Sequence, residues 1–331
     1  MTTPALGVEF DDPELEASVL ADLNTIEAAL RVAVQSDDEF VNSAAGYLVA
    51  AGGKRFRPLV STLAAHFGDS RQIELVPAAV VIELTHLATL YHDDVMDEAP
   101  VRRGASSANA RWDNTVAILT GDFLFSRASN LLADLGPYAV RLQARTFERL
   151  VIGQIRETVG AKDGADPIEH YLAVLADKTG SLIAAAAEFG GHYAGVDEVT
   201  VDQLRRFGEQ IGVAFQISDD ILDIASQSSE SGKTPGTDLR EGVATLPVLY
   251  ALRSPDPSSA RLRELVDHPI VDGAELAEAL ALLRASSAMD EARQTLRTYA
   301  QNARAALAPL PDVPARRAFE ALTDLVIDRT G

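Results

Sequence analysis

Residues 75–97 read LVPAAVVIELTHLATLYHDDVMD. The stretch from Leu75 to Met96 is long and mostly apolar, so it predicts a central helix buried on most sides. That helix ends on carboxylates. Asp93 and Asp97 are spaced i, i+4 and share one face a turn apart, with Asp94 beside them. Residues 219–223, DDILD, repeat the spacing and align Asp219 with Asp223, next to Asp220. Carboxylates so placed repel each other, and a divalent cation removes the repulsion. Magnesium takes oxygen ligands and commonly binds through one or two carboxylates plus substrate phosphates. One DDxxD alone would equally suit an acidic helix end at the surface. Two copies, both interleaved with apolar pairs, predict one magnesium site holding a diphosphate. Neither segment has the glycine and glutamate offsets of an EF-hand.

Working outward, alanine and leucine dominate and Val-Ile-Thr alternation is nearly absent, so helix is expected throughout. Asp12-Pro13 opens a helix to about Gln35, with Leu15, Val19, Leu20 and Leu23 on one side. A second runs from about Asp37 to Ala51 and stops at Gly52-Gly53; a third contains Pro58 in its first turn and ends near Gly68. Arg102 to Ser107 reads as a loop, then a helix from Ala108 towards Leu135, broken at Gly136-Pro137 and resumed over Tyr138–Val159. Further helices are expected at about Ile168–Leu175, Gly180–Ala194 and Thr200–Ala225. Gln227 to Gly236 is polar and rich in Ser and Gly, a candidate lid. Shorter, proline-punctuated helices follow from Leu239. With no linker or repeat, residues 1–331 are expected to form a single all-α domain.

The chain carries 29 basic against 49 acidic side chains, a net charge of −20, which argues against nucleic acid or anionic lipid as partner. No cysteine is present, which rules out disulfides and thiolate metal sites. The N-terminal residues do not resemble a signal peptide, no run of about 18 uncharged apolar residues occurs, and a cytoplasmic location is expected.

Basic residues cluster near the acids. Gly52-Gly53-Lys54-Arg55-Phe56-Arg57-Pro58 joins two helices; its glycines let backbone approach an anion, and Lys54 and Arg57 add charge at a helix N-terminus. Alone, such a turn is more often a helix cap with solvated basic side chains. Arg102-Arg103 follow the first acidic motif; they are either a phosphate-binding fork or surface residues balancing the acids. His86 lies on the same helix, where a lone histidine is usually a satisfied core residue. Lys178-Thr179, Gln216 and Lys233 each fall beside a helix end or an acidic motif.

Taken together, GGKRFRP, His86, DDVMD with Arg102-Arg103, Lys178-Thr179, Gln216 with DDILD, Gly232-Lys233 and Gly236-Thr237-Asp238 resemble the trans-isoprenyl diphosphate (polyprenyl) synthases. Order and spacing match from about residue 45 to 250, most like the medium- and long-chain members. The resemblance implies the all-α isoprenoid synthase bundle, with the acidic motifs facing each other across a deep central cavity, in a homodimer. It implies magnesium as cofactor, about three ions with substrate bound. Asp93, Asp97 and Asp219 would hold the ions that bridge an allylic diphosphate, supported by Asp94, Asp220 and Asp223. Arg102, Lys178 and Lys233 would contact that diphosphate, and Thr179 and Gln216 would flank the allylic carbocation. Lys54, Arg57, His86 and Arg103 would bind isopentenyl diphosphate. One departure is visible: Val243 stands where the family often has lysine.

The growing hydrocarbon is expected to run along the helix behind Asp93, past Thr89 and Ala88, then Thr85, then Ile82 and Val81. One helical turn, about 5.4 Å, roughly matches one isoprene unit, and the first steps are small, which predicts an all-trans product of about C30 to C50, of the kind used as a quinone side chain. Release of such a product would involve transient membrane contact. The alternatives are a short-chain synthase of about C15 to C20, a terpene cyclase, which would not need GGKRFRP or Arg102-Arg103, and a non-catalytic subunit of a heterodimeric synthase, which should show eroded aspartates.

Overall fold

A computed structural model of the chain describes residues 7–226 and 235–330. Residues 227–234, which include Lys233 and most of the candidate lid, lie outside the described residues. Among the described residues the regular structure is helical, apart from one two-stranded hairpin. Its internal contacts divide it into two compact units: Met1–Glu148 with Leu182–Gly208 and Pro309–Ala321, and Arg149–Ser181 with Glu209–Ala308 and Leu322–Gly331.

The first unit contains α1 (Pro13–Ala33), α2 (Glu39–Ala50), α3 (Phe56–Ala65), α4 (Leu75–Met96), α5 (Ala108–Arg111) and α6 (Asn114–Leu135). Asp12 caps α1, accepting from the Glu14 and Leu15 amides at 2.9 Å, an arrangement worth about 1 kcal/mol. Its buried stripe is Leu15, Val19, Ile26 and Leu30, so the face continues past Leu20 and Leu23, which are only partly covered. Helix α4 spans the expected residues and packs chiefly against α6, with Leu84, Leu87, Ala88 and Tyr91 meeting Leu124 and Ala117 in one core with Leu30 and Leu48. By length and composition α4 is also long and apolar enough to cross a membrane; here most of it is buried inside the protein. Tyr91 anchors it, its hydroxyl donating to the Ala44 carbonyl at 2.5 Å and accepting from the Leu48 amide at 3.3 Å.

Two local departures from the sequence reading have clear causes. The stretch read as a loop forms a tight hairpin, β1 (Val101–Arg102) and β2 (Ala105–Ser106), turned by Arg103 at φ 53° and Gly104 at φ 76°. Positive φ at both central residues is the signature of the turn that suits a two-residue hairpin. The helix expected from Ala108 is interrupted, because Asp113 leaves the helical region to cap α6 through the Val116 amide at 2.8 Å.

Helix α7 (Pro137–Val159) begins in the first unit and ends in the second. The second unit holds α8 (Pro167–Leu175), a π-helical turn at Ala176–Gly180 and the latter part of α10 (Glu198–Ala225); the π turn runs straight into α9 (Ser181–Tyr193), which from Leu182 belongs to the first unit. The sequence suggested a break before Gly180; the chain instead stays helical and widens by one residue per turn there. In α10, Leu204, Phe207, Ile211, Ala214, Ile217, Ile221 and Ile224 are all buried, a stripe of helical period. Shorter helices follow, among them Thr237–Glu241, Leu246–Arg253 and Ser287–Leu307.

Candidate active site

The first acidic motif sits at the C-terminal end of α4, where the helix dipole already disfavours negative charge. Asp93 is half-buried and Asp97 exposed on the shared face. Asp94 points elsewhere. It is fully buried, and its Oδ1 accepts from Arg102 Nε at 2.6 Å. Burial raises its pKa, opposed by Arg102. Its Oδ2 is buried without a hydrogen-bond partner. Thus Asp93 and Asp97 keep accessible surface on one face, while Asp94 turns inward to Arg102.

The second motif repeats this division. Asp219 and Asp223 are half-buried, and Asp220 is buried, with Oδ1 accepting from Gln216 Nε2 at 3.0 Å and Oδ2 from the Tyr171 hydroxyl. Burial pushes Asp220 up to about 6, helped by repulsion from Asp219 and Asp223. Asp238 is pushed up to about 8 by burial and then by Asp220 and Asp223, and its amide donates to Asp223 Oδ2 at 3.2 Å. Four carboxylates thus crowd one end of α10. An oxygen-only donor set under mutual repulsion suits a hard divalent cation. Among the described residues, no three acidic or histidine side chains converge tightly enough to hold an ion alone. The remaining ligands would come from substrate oxygens, as is usual for magnesium.

A basic cluster forms in the first unit. Arg55, held at φ 50°, spends its charge on Glu27 (2.7 Å) and the buried Glu83 (2.8 Å). Arg57 is different: its Nε is buried with no hydrogen-bond partner, and burial lowers its pKa to about 10. Arg103 donates to the carbonyls of Leu48, at 2.8 Å, and Gly52. Its guanidinium lies over Gly53, where a Cβ would meet it at 3.1 Å and the φ of 158° already strains any side chain. His86 keeps some accessible surface, yet protein surrounds the ring, and burial followed by the charges of Arg57, Arg103, Arg55 and Arg102 holds its pKa well below the usual 6.5. Lys54 is exposed at the rim. Arg57 and Arg103, beside His86 and with Glu83 as the buried acid near them, are cations of a kind that can hold an anion.

The His86 shift has a checkable sign. As pH falls through the ordinary imidazole value of 6.5, the unfolded chain takes up a proton that the folded chain refuses, so stability drops. Urea midpoints measured at about pH 7.5 and about pH 5.5 should therefore fall further for the wild type than for His86→Gln. Equal falls would mean that His86 is not held neutral.

Lys178 and Thr179 lie on the π turn, a distortion frequent at functional sites. Asp177 ties that turn to Arg149 (3.1 Å) and Arg156 (2.7 Å), and Lys178 Nζ pairs with Glu157 at 2.5 Å. Helix α7 approaches through Gly153, where a Cβ would lie 2.8 Å from the Lys178 amide. Val243 is 44% exposed, and its amide donates to the Asp238 carbonyl at 2.8 Å.

The structure therefore groups Asp93, Asp94, Asp97 and Arg102, groups Arg57, His86 and Arg103, and links Gln216 to the second acidic motif. Several participants were missed in the sequence. Glu83 was detectable as the lone acid in an apolar run. Tyr171, Glu157 and Arg329, which meets Asp219 at 2.8 Å, carry no sequence signal because their partners are far along the chain.

The polyprenyl synthetase family model matches residues 38–283. A nonaprenyl diphosphate synthase of Mycobacterium tuberculosis is 53% identical over all of both chains. A dimethylallyltranstransferase of the same organism is 43% identical, covering 97% of this chain and 98% of that one. A crystal structure of geranylgeranyl pyrophosphate synthase from Corynebacterium glutamicum, complexed with calcium and isoprenyl diphosphate, superposes with a TM-score of 0.87 at 46% identity, covering 98% of this chain and 100% of the other. Motifs, all-helical fold and full-length likeness agree: the chain belongs to the polyprenyl synthetase family of prenyltransferases, with the isoprenoid synthase fold.

Proposed function

We propose that the chain condenses isopentenyl diphosphate with an allylic diphosphate, repeatedly, to an all-trans polyprenyl diphosphate of about C30 to C50, for a quinone side chain. The observation that carries the reading is the Arg57–His86–Arg103 cluster. A cyclase acting on one diphosphate has no use for a second anion site, and a non-catalytic subunit has no use for intact aspartates.

Asp93, Asp97, Asp219 and Asp223 are the residues that would hold magnesium; Asp220, expected from the sequence as a further ligand, has both oxygens engaged by Gln216 and Tyr171 and supports its neighbours instead. When bound, that ion supplies charge stabilisation for the departing diphosphate. The protein's own groups do the rest. Arg102, aimed by Asp94, Lys178 and Lys233 bind the allylic diphosphate; Lys54, Arg57, His86 and Arg103 bind and orient isopentenyl diphosphate. The allylic C–O bond breaks, and its electron pair leaves with the diphosphate. The Thr179 hydroxyl and the Gln216 side-chain carbonyl face the resulting carbocation. The alkene of isopentenyl diphosphate supplies the pair for the new C–C bond, and a proton is lost to the released diphosphate. The site must exclude water while the cation persists.

On α4 the path proposed for the growing chain follows the surface that stays accessible. Ala88, Thr85, Ile82 and Val81 are fully buried in packing, while Thr89 keeps accessible surface in line with His86, Leu90 and Asp93. Of Thr89 and Ala88, together the expected first step, Thr89 alone keeps surface for the growing chain. Incubation with farnesyl and isopentenyl diphosphates and chromatography of the product tests the reading: a long prenyl chain is expected, shortened by Thr89→Phe. A sole product of about C20, the outcome that likeness to a geranylgeranyl synthase favours, would overturn the long-chain assignment.

The active form is a homodimer in this reading. Val140, Val151 and Ile155 are exposed in line with Ala144 and Phe147, an apolar stripe of 3–4 spacing along α7 that a second copy would cover. A cytoplasmic location belongs to the same reading.

A further inference from the structure

Arg329 lies just beyond the helix Pro314–Asp328. Its Nε donates to Ser218 Oγ at 2.7 Å, its Nη2 donates to the Phe215 carbonyl at 2.9 Å, and its guanidinium stacks 4.3 Å over the Phe215 ring. The same Nη2 lies 2.8 Å from Asp219 Oδ1. The side chain is only 18% exposed, and Ser218 is fully buried. These anchors to Phe215 and Ser218 do not involve the Asp219 carboxylate, so the cation stays in place whatever that carboxylate does. Asp219 therefore has a fixed positive neighbour on one oxygen, in a region otherwise crowded by Asp220, Asp223 and Asp238.

We propose that Arg329 is a positioning residue for Asp219: it fixes the carboxylate's orientation and sets a permanent positive charge beside the cation position. The inference rests on the reading of Asp219 as a metal ligand. A like charge there weakens binding of a divalent ion to the free enzyme. An arriving diphosphate is attracted by the same guanidinium, so the anionic ion–diphosphate complex is favoured there where the bare cation is not. Arg329 thus favours entry of the two ligands together over entry of the ion alone.

The test measures Mn2+ affinity by electron paramagnetic resonance, with and without inorganic diphosphate, for the wild type, Arg329→Gln, Arg329→Lys and Asp219→Asn. Arg329→Gln should bind Mn2+ alone about tenfold more tightly, and the gain from added diphosphate should shrink by about the same factor. Arg329→Lys, which keeps the charge, should stay within about twofold of the wild type. Asp219→Asn should weaken Mn2+ binding. A residue that merely holds the fold would instead loosen Mn2+ binding when removed. Unchanged or weaker binding by Arg329→Gln, with Asp219→Asn impaired, overturns this inference alone. Normal Mn2+ binding by Asp219→Asn removes the ligand reading and the inference with it. If the glutamine variant does not fold, the lysine variant decides, because tenfold tighter binding there would exclude charge as the cause.

Discussion

Asp93→Asn is expected to lower kcat/KM by on the order of 10^3 or more while leaving the fold intact, whereas Asp94→Asn is expected to damage both. The substitutions are chemically identical and one residue apart. Asp93 lies half-buried on the face it shares with Asp97, so losing its charge removes support for the cation that stabilises the leaving group. Asp94 is fully buried and holds Arg102 at 2.6 Å. Neutralising it strands a partly buried guanidinium, a loss of about 3 kcal/mol where such a pair is well covered. Urea denaturation with steady-state kinetics separates the two. Equal midpoints for both variants would show that the Asp94–Arg102 pair contributes nothing to stability.

Arg57→Met should raise the KM for isopentenyl diphosphate by roughly 30-fold or more, with little change in the KM for the allylic substrate. Removing one partner of a buried charge-assisted contact costs about 2–5 kcal/mol. The unusual feature of Arg57 is that its Nε is buried with no hydrogen-bond partner in the protein, so that donor loses nothing internal when the residue is replaced. Arg55→Met, next door, should act differently. That residue is bound to Glu27 and Glu83, so its loss should appear as instability before it appears in either KM. Initial-rate measurements with each substrate varied in turn distinguish these outcomes. A matching rise in both KM values for Arg57→Met would remove it from the isopentenyl diphosphate site.

The sequence carried the helices well wherever the cause was local. Asp12-Pro13, Gly52-Gly53, Gly136-Pro137 and the apolar run from Leu75 to Met96 all mark elements that the structure contains, within a few residues. The i, i+4 rule correctly paired Asp93 with Asp97 and Asp219 with Asp223. It gave no indication that the middle aspartates, Asp94 and Asp220, turn inward to Arg102, Tyr171 and Gln216. That depends on partners brought in by folding. The π turn beneath Lys178 is likewise invisible in composition, since it depends on ion pairs from Arg149 and Arg156 more than 20 residues earlier. Ala88 was misread for the same reason: a small residue suits a tunnel wall and a tight helix contact equally well, and only its neighbours decide.

The hairpin after α4 has a consequence for timing and accuracy. Its adjacent arginines face different tasks: Arg102 grips the carboxylate of Asp94, and Arg103 grips the carbonyls of Leu48 and Gly52 in the turn that carries Lys54 and Arg57. Joined by one peptide bond, they act as a caliper between the end of α4 and the turn before α3, and in the proposed reaction that spacing would set the gap across which one carbon must reach another. Lengthening that turn by a single residue would leave each grip chemically able to form, yet not both at their present spacing. Each substrate would still find its berth, and the two would miss each other.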